Sequence, residues 1–377
     1  MSENVPAEAP VVVVGAGQAG LSVAFHLRRL GLVPGEDFLI LDRGPGTGGA
    51  WQFRWESLRL GTAHRVSDLP GMNEMGLSFA TADQARAARD VVAEYYERYE
   101  RHFALQVVRP AIVQAVVEGT DGGLTVETSR GSIQSRILIN ASGTWAAPFR
   151  PYYPGAEHFR GVQLTTTEYR AAADFAGKRV VVVGGGTSAV GFLLELEGIA
   201  ASTVWVTRRP VEFADRPEAG ITAVANQDAA AREGLPLPSI VGGTGLPATP
   251  ANLAGVERGV LVARPMFSRI EPDGVRWADG TVEPADAIIW ATGFRADLAH
   301  LAPLDLREHG GGIRVEKGKV TRDQRIYLAG YGPQASTIGA NRAGRSVAVQ
   351  VVVALRHEGW QAPSTVLPVA SGASVSA

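Results

Sequence analysis

Three glycines, Gly15, Gly17 and Gly20, directly follow a run of four valines near the start of the chain. In this spacing the first glycine permits a sharp turn, the second admits a pyrophosphate to the backbone, and the third lets a helix pack closely on a strand. Gln18 and Ala19 lie in the same turn, where the free N–H groups that begin a helix attract phosphate oxygens. The pattern predicts a strand, a turn and a helix that bind a dinucleotide.

An acidic residue, Asp42, ends the next strand pattern, FLILD, twenty-two residues beyond Gly20. A carboxylate at that place, with Arg43 beside it, can hold both hydroxyls of an adenosine ribose and repels a 2′-phosphate. We therefore expect FAD in this first site. The alternative is a glycine turn followed by a surface aspartate, with no ligand.

A second set of small residues, GGGTSA, follows the valine run of KRVVVV and repeats the pattern. Its candidate cofactor-binding residues are Gly184, Gly186, Thr187, Ser188 and Ala189. The next strand pattern, TVWVT, is followed by Arg208 and Arg209 rather than by an acid. Guanidinium groups match the oxygens of a 2′-phosphate, so we expect NADPH in the second site. A solvated arginine pair is the alternative.

Further segments of small residues support two nucleotide sites. The turn GTGGAW at 46–51 lets backbone approach a flat ligand, and ADAIIWATGF at 285–294 places small residues after a buried strand. NASGTW at 140–145 repeats that arrangement, and RIYLAGYG at 325–332 supplies a last strand that ends in glycine. The candidates in the first two of these segments are Gly49, Ala50, Trp51, Ala291, Thr292 and Gly293.

The chain of 377 residues contains no cysteine. Flavin disulfide reductases need a redox-active dithiol and iron–sulfur proteins normally use several thiolates, so both classes are excluded. No two of the seven histidines lie at the i, i+4 spacing of a helical metal pair, and we expect no metal site. Redox chemistry in this chain therefore needs an organic cofactor.

Charge and hydropathy argue against nucleic acid or a membrane as a partner. The formal net charge of −2 lacks the basic excess that attracts nucleic acid or anionic membranes. No apolar run approaches the ~20 residues that span a bilayer, and MSENVPAEAP lacks the basic start and apolar core of a signal peptide. We expect a cytoplasmic protein that acts on a small molecule.

The elements that position these motifs alternate between β-rich runs and helical patterns. This order predicts an α/β fold with two Rossmann-like dinucleotide-binding domains built on parallel sheets. We further expect an amphipathic helix from Thr81 to His102, a small antiparallel layer over 107–139, and a long loop over 225–258. That loop either shapes substrate access or is a surface excursion. The polar residues 362–377 are expected to stay unfolded.

Taken in order, the segments GAGQAG, GGAW, GTWAAPFRPYYPG, FRGVQLTTTEY, GGGTSA and ATGF resemble the flavin-containing monooxygenases, especially short bacterial members. The resemblance implies an FAD domain formed by residues 1–153 and 293–377, with an NADPH domain, 154–292, inserted into it. It also implies hydride transfer from NADPH to the flavin, reaction with O2 to a C4a-hydroperoxide, and transfer of one oxygen atom to a sulfide or amine. A homodimer is suggested by the same resemblance.

The family's identifying motif, F-x-G-x-x-x-H-x-x-x-Y, is matched here with one exception. Phe159, Gly161 and Tyr169 fit the motif, while Thr165 replaces its histidine. A threonine keeps a short hydrogen-bonding group but loses the ring, its reach and its titration. We expect Thr165 and Tyr169 to shape the linker and the nicotinamide pocket.

A second departure follows the segment WESL at 55–58, where Gly61 stands at the position that the family gives to an asparagine. Gly61 cannot donate a side-chain hydrogen bond near the flavin, although Thr62 or His64 beside it could. A lost polar contact of this kind is worth about 2–4 kcal/mol. We expect Gly61 to line the site where oxygen reacts, and Trp51 to pack near the flavin ring.

Three functions follow from these residues. The leading one is an NADPH-dependent flavin monooxygenase that oxygenates sulfur or nitrogen of a small, fairly apolar substrate. The second, favoured by Thr165 and Gly61, is an NADPH oxidase or NADPH:acceptor reductase without productive oxygen transfer. The third is a nucleotide-binding redox sensor without turnover.

Overall fold

The computed structural model describes residues 5–63, 66–214, 217–237, 245–357 and 359. The fold is built from parallel sheets that are flanked by helices, as the alternating sequence pattern predicts. The helices are α1 (Gln18–Arg29), α2 (Ala88–His102), α3 (Thr187–Leu196), α4 (Pro217–Glu233), α5 (Pro250–Glu257) and α6 (Thr337–His357). Among the described residues, no helix is both long and apolar enough to cross a membrane.

The first sheet takes its strands from both ends of the chain. They are β1 (Glu8–Val14), β2 (Phe38–Leu41), β3 (Val107–Val108), β4 (Val113–Glu118), β5 (Leu124–Thr128), β6 (Gly131–Asn140), β15 (Val315–Glu316), β16 (Lys319–Val320) and β17 (Ile326–Leu328). The order across the sheet is β15-β16-β17-β6-β1-β2-β3, and the five strands from β17 to β3 are parallel. Strand β5 pairs antiparallel with the first half of β6, and β4 pairs with β5, which confirms the antiparallel layer.

A second sheet is formed by residues between the two halves of the first. Its five parallel strands are β7 (Val162–Thr165), β8 (Arg179–Val183), β9 (Ser202–Thr207), β10 (Ala263–Pro265) and β14 (Ala287–Trp290). A small antiparallel sheet covers it and consists of β11 (Arg269–Glu271), β12 (Gly274–Arg276) and β13 (Val282–Pro284). The predicted α/β class is confirmed. The domain boundaries proposed at 153/154 and 292/293 stay a prediction.

Both parallel sheets reverse their strand order at the same relative place. In the first sheet, β1 lies between β2 and β6; in the second, β8 lies between β9 and β14. Chain order therefore changes direction between β1 and β6, and again between β8 and β14. Ligands of open α/β sheets bind at the carboxyl ends of strands beside such a switch point. The two glycine turns follow β1 and β8, so each lies at one.

Each sheet is buried on both faces, as parallel sheets require. One face of the first sheet packs on α1, α2 and α6, and the other packs on β4 and β5. In the second sheet one face packs on α3 and the other on the three-stranded sheet. Helices α1 and α6 lie so close that a Cβ on Gly344 would come within 2.8 Å of Ser22 Cβ. These contacts fix the strands whose ends carry the predicted motifs.

Two element predictions were wrong. The helix expected from Thr81 begins at Ala88, because the chain before it pairs with residues 58–61: Leu60 N–H donates to Arg86 O and Gly61 N–H donates to Gln84 O, each at 3.0 Å. The segment 225–258 is not one loop, since α4 and α5 occupy much of it. Residues 238–244 within it, and the predicted unfolded tail at 362–377, lie outside the described residues.

Candidate functional site

The first glycine turn packs against the end of the neighbouring strand. Gly15 has φ +104°, a backbone region that side chains rarely occupy, and a Cβ there would lie 2.8 Å from the carbonyl carbon of Ala141. A Cβ on Gly20 would lie 2.9 Å from the carbonyl carbon of Gly15 and closer still to its oxygen. Backbone therefore touches backbone at both places, and no side chain fits.

Gly17, the second glycine of the turn, faces open space instead. A Cβ on it would meet only the Cα of Gly49, at 3.9 Å. Gly49 belongs to the GGAW turn, which Gln52 holds by donating to Gly49 O at 3.0 Å. Trp51 next to it is 7% exposed. The turn and the fingerprint thus leave between them a cradle that a side chain on Gly17 would begin to fill.

Asp42 is tied to this cradle by the backbone. One carboxylate oxygen accepts from Ala16 N–H at 2.7 Å, and the other accepts from Gly44 N–H at 2.6 Å. A carboxylate can accept about four hydrogen bonds, so Asp42 retains acceptor sites for ribose hydroxyls. Arg43 points away from it and forms an ion pair with Asp297 at 2.8 Å.

Gln18 and Ala19 begin helix α1 and contact other elements. The Gln18 side chain donates to Ser67 O at 3.0 Å and to Asn341 Oδ1 at 2.9 Å, and it accepts from the Tyr96 hydroxyl at 2.5 Å. Ala19 lies beside Gly330, where a Cβ would be 3.1 Å from Ala19 Cβ. The Gln18 side chain therefore holds the helix start in place, and any contact of this residue with a phosphate falls to its backbone N–H.

A buried histidine supports the strand that faces this turn. His300 is 3% exposed, and its Nε2 lies 2.8 Å from Asn140 Oδ1 at the end of β6. Burial lowers the pKa of His300 to about 4, with Arg43 adding to that effect and Asp297 opposing it. The ring is therefore neutral at neutral pH and serves as a hydrogen-bonding support.

Replacement of His300 by glutamine should flatten the loss of stability on acidification. The unfolded chain protonates this histidine near its ordinary pKa of about 6.5, while the folded chain protonates it only near 4. Its contribution is thus complete above the unfolded value and is lost as the pH falls towards 4, by up to about 3 kcal/mol. Urea unfolding at pH 7.5 and pH 5 measures the difference. A His309→Gln variant, altered at an exposed histidine, should keep the wild-type difference, and an unchanged difference in His300→Gln would contradict the assignment.

The second glycine turn repeats the geometry of the first. Gly184 has φ +140°, and a Cβ on it would lie 2.7 Å from the carbonyl carbon of Ala291, the residue after β14. Ala189, at the third position of the pattern, lies in the first turn of α3 and is fully buried. Thr292 donates its hydroxyl to Phe149 O, and Gly293 has φ +85° with open space around it. Gly186 is the N-cap of α3, and Thr187 and Ser188 form its first turn.

The side chains of Arg208 and Arg209 are exposed directly after β9, on the strand next to the second glycine turn. Neither guanidinium forms an ion pair with any described acidic side chain. Two cations without a partner among the described acidic side chains lie at the place where the first site carries Asp42, so the two cradles have opposite charge. They can receive a phosphate without first breaking an ion pair with any described residue.

Two linking segments connect the sheets side by side, and we call them the ribbon: residues 143–149 and 293–297. Phe149 N–H donates to Gly293 O and Arg295 N–H donates to Ala147 O, each at 2.8 Å. Each segment begins two residues after an alanine that packs against one glycine turn. Ala141 packs against Gly15, and Ala291 packs against Gly184. The ribbon therefore passes between the two nucleotide cradles.

Thr165 lies at the end of β7, beside Trp290 of β14, and is 9% exposed. Its N–H and its hydroxyl both donate to the Glu168 carboxylate at 2.8 Å. The hydroxyl also lies 2.9 Å from the hydroxyl of Thr167. The group that replaces the family's histidine is thus engaged in a local turn.

Tyr169 lies in the core rather than on an open pocket. It is 1% exposed, packs on Phe192 at 4.1 Å between ring centroids, and donates its hydroxyl to Glu195 Oε2 at 3.0 Å. Burial, with Glu195 beside it, raises the pKa of Tyr169 well above the ordinary value. The tyrosine is therefore a neutral hydrogen-bond donor under helix α3.

Glu195 joins the two parts of the molecule and was missed in the sequence. Besides Tyr169, it accepts from Trp55 Nε1 at 2.7 Å and from Ser57 Oγ at 2.8 Å. A carboxylate in the last turn of a helix faces the negative end of the helix dipole, so these three donors stabilise a charge that the helix disfavours. An acid near the end of the otherwise apolar run TSAVGFLLEL was the available signal.

A Glu195→Leu substitution should destabilise the fold by about 2–4 kcal/mol, because it leaves the buried donors of Trp55 and Tyr169 without an acceptor. Glu197, two residues later, pairs with the exposed Arg258 at 2.7 Å and provides the control. Glu197→Leu removes only a solvent-exposed ion pair and should destabilise the fold much less than Glu195→Leu does. Urea unfolding followed by circular dichroism measures both, and equal losses would contradict the role given to Glu195.

Gly61 lies at the surface, opposite Gln84. Its N–H donates to Gln84 O at 3.0 Å, and a Cβ on it would lie 3.0 Å from Gln84 Cβ. Thr62 donates its hydroxyl to Arg59 O at 3.2 Å, and His64 lies outside the described residues. No described side chain of this segment takes the place of the family's asparagine.

The residues present fit two dinucleotides. Each cradle combines three features: a glycine turn packed so closely on neighbouring backbone that no Cβ fits, the first turn of a helix, and a charged residue after the next strand. Among the described residues, no cluster of three or more His, Asp or Glu side chains could hold a metal. Fold and site together define an oxidoreductase that binds two dinucleotides.

Comparison with known proteins narrows this class. The pattern of the pyridine nucleotide-disulphide oxidoreductase family matches residues 12–231. A flavin-containing monooxygenase from Stenotrophomonas maltophilia has a similar structure, with a TM-score of 0.75 and 34% identity, over 92% of this chain and 99% of that one. Indole-3-pyruvate monooxygenase YUCCA4 of Oryza sativa subsp. japonica is 26% identical over 400 residues, covering 93% of this chain and 89% of that protein. A match to the uncharacterized oxidoreductase CzcO of Bacillus velezensis, 29% identical over 205 residues, covers 54% of this chain and only 56% of that protein.

The chain belongs to the pyridine nucleotide-disulphide oxidoreductase family and, within it, to the flavin-containing monooxygenases. The resemblance inferred from the motifs is confirmed. The protein is a flavin-dependent oxidoreductase whose cofactors are FAD and a pyridine nucleotide. Because it has no cysteine, it lacks the dithiol that the name of the larger family implies.

Proposed function

We propose that the protein uses NADPH to reduce bound FAD and then transfers one oxygen atom of O2 to sulfur or nitrogen of a small organic substrate. The proposal rests on the contrast between Asp42 in one cradle and, in the other, Arg208 and Arg209, which pair with no described acidic side chain. An acid suits an unphosphorylated ribose, while two guanidinium groups suit a 2′-phosphate. The proposal includes a cytoplasmic homodimer with neither nucleic acid nor membrane as partner.

FAD, when bound, supplies the two-electron carrier and the site of reaction with O2. The chain's own residues position it. The cradle around Gly17 and Gly49 would receive the pyrophosphate, and Asp42 would accept from the ribose hydroxyls. In the second site, the start of α3 would receive the pyrophosphate, and Glu195 would hold that helix against the segment that carries Trp55 and Ser57. None of these groups needs to act as an acid or base.

The experiment that tests this function is a comparison of NADPH with NADH under anaerobic conditions, followed by air. NADPH should bleach the bound flavin faster than NADH at equal concentration. After air and a thioether are added, sulfoxide formed per NADPH should exceed hydrogen peroxide formed per NADPH. Equal use of the two nucleotides would overturn the NADPH assignment, and absence of sulfoxide and amine oxide would overturn the oxygen transfer.

A second candidate function, an NADPH oxidase or acceptor reductase, is favoured by two observations. The Thr165 hydroxyl is engaged with Glu168, and Gly61 has no side chain to offer. Either loss weakens the polar environment that a reactive oxygen species needs before it meets the substrate. Peroxide in near-stoichiometric yield, unchanged by added thioether, would favour this candidate.

A further inference from the structure

Arg54 is a half-buried cation without a carboxylate partner among the described residues. Its Nε is buried and makes no hydrogen bond, and no described acidic side chain pairs with the guanidinium. Burial lowers the pKa of Arg54 to about 10, which leaves it charged at neutral pH. Buried charges are normally paired, because desolvation of an unpaired ion is costly. An unpaired guanidinium in this environment needs an explanation.

Aromatic rings surround Arg54. The guanidinium carbon lies 4.2 Å from the ring centroid of Trp145 and 5.6 Å from that of Trp51. Trp145 in turn stacks on Phe294, with ring centroids 5.3 Å apart and an interplanar angle of 25°. Contacts between a cation and aromatic faces offset part of the desolvation cost. They leave the N–H donors of the two terminal Nη groups, which lie in the plane of the guanidinium, for another group.

The position of this cluster connects it with both cofactor sites. Trp51 follows the turn that covers Gly17, while Trp145 and Phe294 lie on opposite segments of the ribbon. Those segments follow Ala141 and Ala291, which back the two glycine turns. Arg54 therefore lies between the cradles, at the carboxyl ends of the parallel strands, where ligands of such sheets bind.

We propose that Arg54 binds the carboxylate of the substrate, and that the substrate is a flat molecule carrying this anion. The guanidinium fork matches a carboxylate in a bidentate arrangement, and the indole and phenyl faces suit a planar body. This inference rests on the proposed function, since it names the substrate class of that site. It excludes purely cationic amines as preferred substrates.

The test measures binding to the oxidised holoenzyme, so that it does not depend on turnover. Benzoate and the neutral benzamide are titrated against wild type, Arg54→Gln and Arg54→Lys, with the flavin absorbance as the signal. We expect wild type to bind benzoate at least about 10-fold more tightly than benzamide. The Arg54→Gln variant should bind benzoate about 10- to 100-fold more weakly than wild type, while its affinity for benzamide changes little. Arg54→Lys should recover part of the loss, because it restores the charge without the fork.

Arg264→Gln is the matched control. The Arg264 guanidinium lies 4.0 Å from the Trp277 ring centroid but, unlike that of Arg54, pairs with a carboxylate, Glu283, at 3.1 Å. This variant should bind benzoate as wild type does. Equal affinity of wild type for benzoate and benzamide would overturn the inference. So would an Arg54→Gln protein that loses FAD, since the anion would then belong to the cofactor. If benzoate binding depends on Arg54 but no oxygenated product forms from 4-(methylthio)benzoate, the anion site stands and the proposed function fails.

Discussion

Gly20→Ala is expected to lose at least about 4 kcal/mol of folding free energy, a large share of the roughly 5–15 kcal/mol that stabilises a typical protein. The new Cβ would lie 2.9 Å from the carbonyl carbon of Gly15 and nearer to its oxygen, so strand β1 and helix α1 would have to separate. The backbone at both positions is fixed by tertiary contacts and cannot shift independently. Thermal unfolding followed by circular dichroism measures the loss.

Gly17→Ala is the matched variant. It should fold normally but no longer retain FAD, so the purified protein should lack the yellow colour of bound flavin. Gly17 has φ −86°, which any residue adopts, and its Cβ would meet nothing closer than 3.9 Å within the chain. A methyl group there intrudes only on a ligand that approaches the backbone. We expect FAD affinity to fall by at least about 100-fold, equivalent to two decades at 1.4 kcal/mol each. Gly17→Ala protein with full flavin content would refute the cradle, and Gly20→Ala protein with wild-type stability would refute the packing described for α1.

The double variant Arg208→Ser/Arg209→Ser is expected to bind NADPH about 100-fold more weakly while its affinity for NADH stays within about twofold. Each charge-assisted hydrogen bond to the 2′-phosphate contributes roughly 1.5–3 kcal/mol, and these arginines have no competing partner among the described residues. The dependence of anaerobic flavin reduction on nucleotide concentration gives both constants.

Arg160→Gln provides the control for the arginine pair, since Arg160 is also exposed but pairs with Asp273. This variant should have the same affinities for NADPH and NADH as wild type. The affinity of the wild-type protein for NADPH should fall as the salt concentration is raised, because the contacts of Arg208 and Arg209 with the 2′-phosphate are exposed to solvent. A parallel rise of the NADPH and NADH constants in the double variant would mean that the two arginines do not recognise the 2′-phosphate.

The local motifs were predictable because each one is encoded within about 30 residues. The valine strand, the glycines and the following helix form one continuous unit in both halves, and the structure places Gly15 and Gly184 in the left-handed region with closely similar backbone contacts. The existence of helix α2 and its end at His102 were predicted, but its start was placed seven residues too early. Residues 84–87 pair with 58–61, a contact that local helix propensity does not reveal. The alanine-rich run ANQDAAARE at 225–233 favours a helix, whereas the glycines and prolines that follow it favour a loop.

The candidate site was predictable only where sequence distance is short. Asp42, Arg208 and Arg209 could be placed because each follows the strand next to a glycine turn. Glu195 and Arg54 could not, since their partners come from segments up to 140 residues away. Thr165 and Tyr169 were expected near the nicotinamide pocket, and that role stays a prediction; the structure gives their side chains partners within the fold, Glu168 and Glu195.

The double connection between the sheets limits how they can move. A single linker would let one sheet twist freely against the other, whereas two hydrogen-bonded linkers side by side resist torsion and yield mainly by bending. Points near the axis of such a bend travel least. A molecule bound there would stay almost stationary while the nucleotides on either side move towards or away from it. The two half-reactions could then alternate without any movement of the substrate from one site to another.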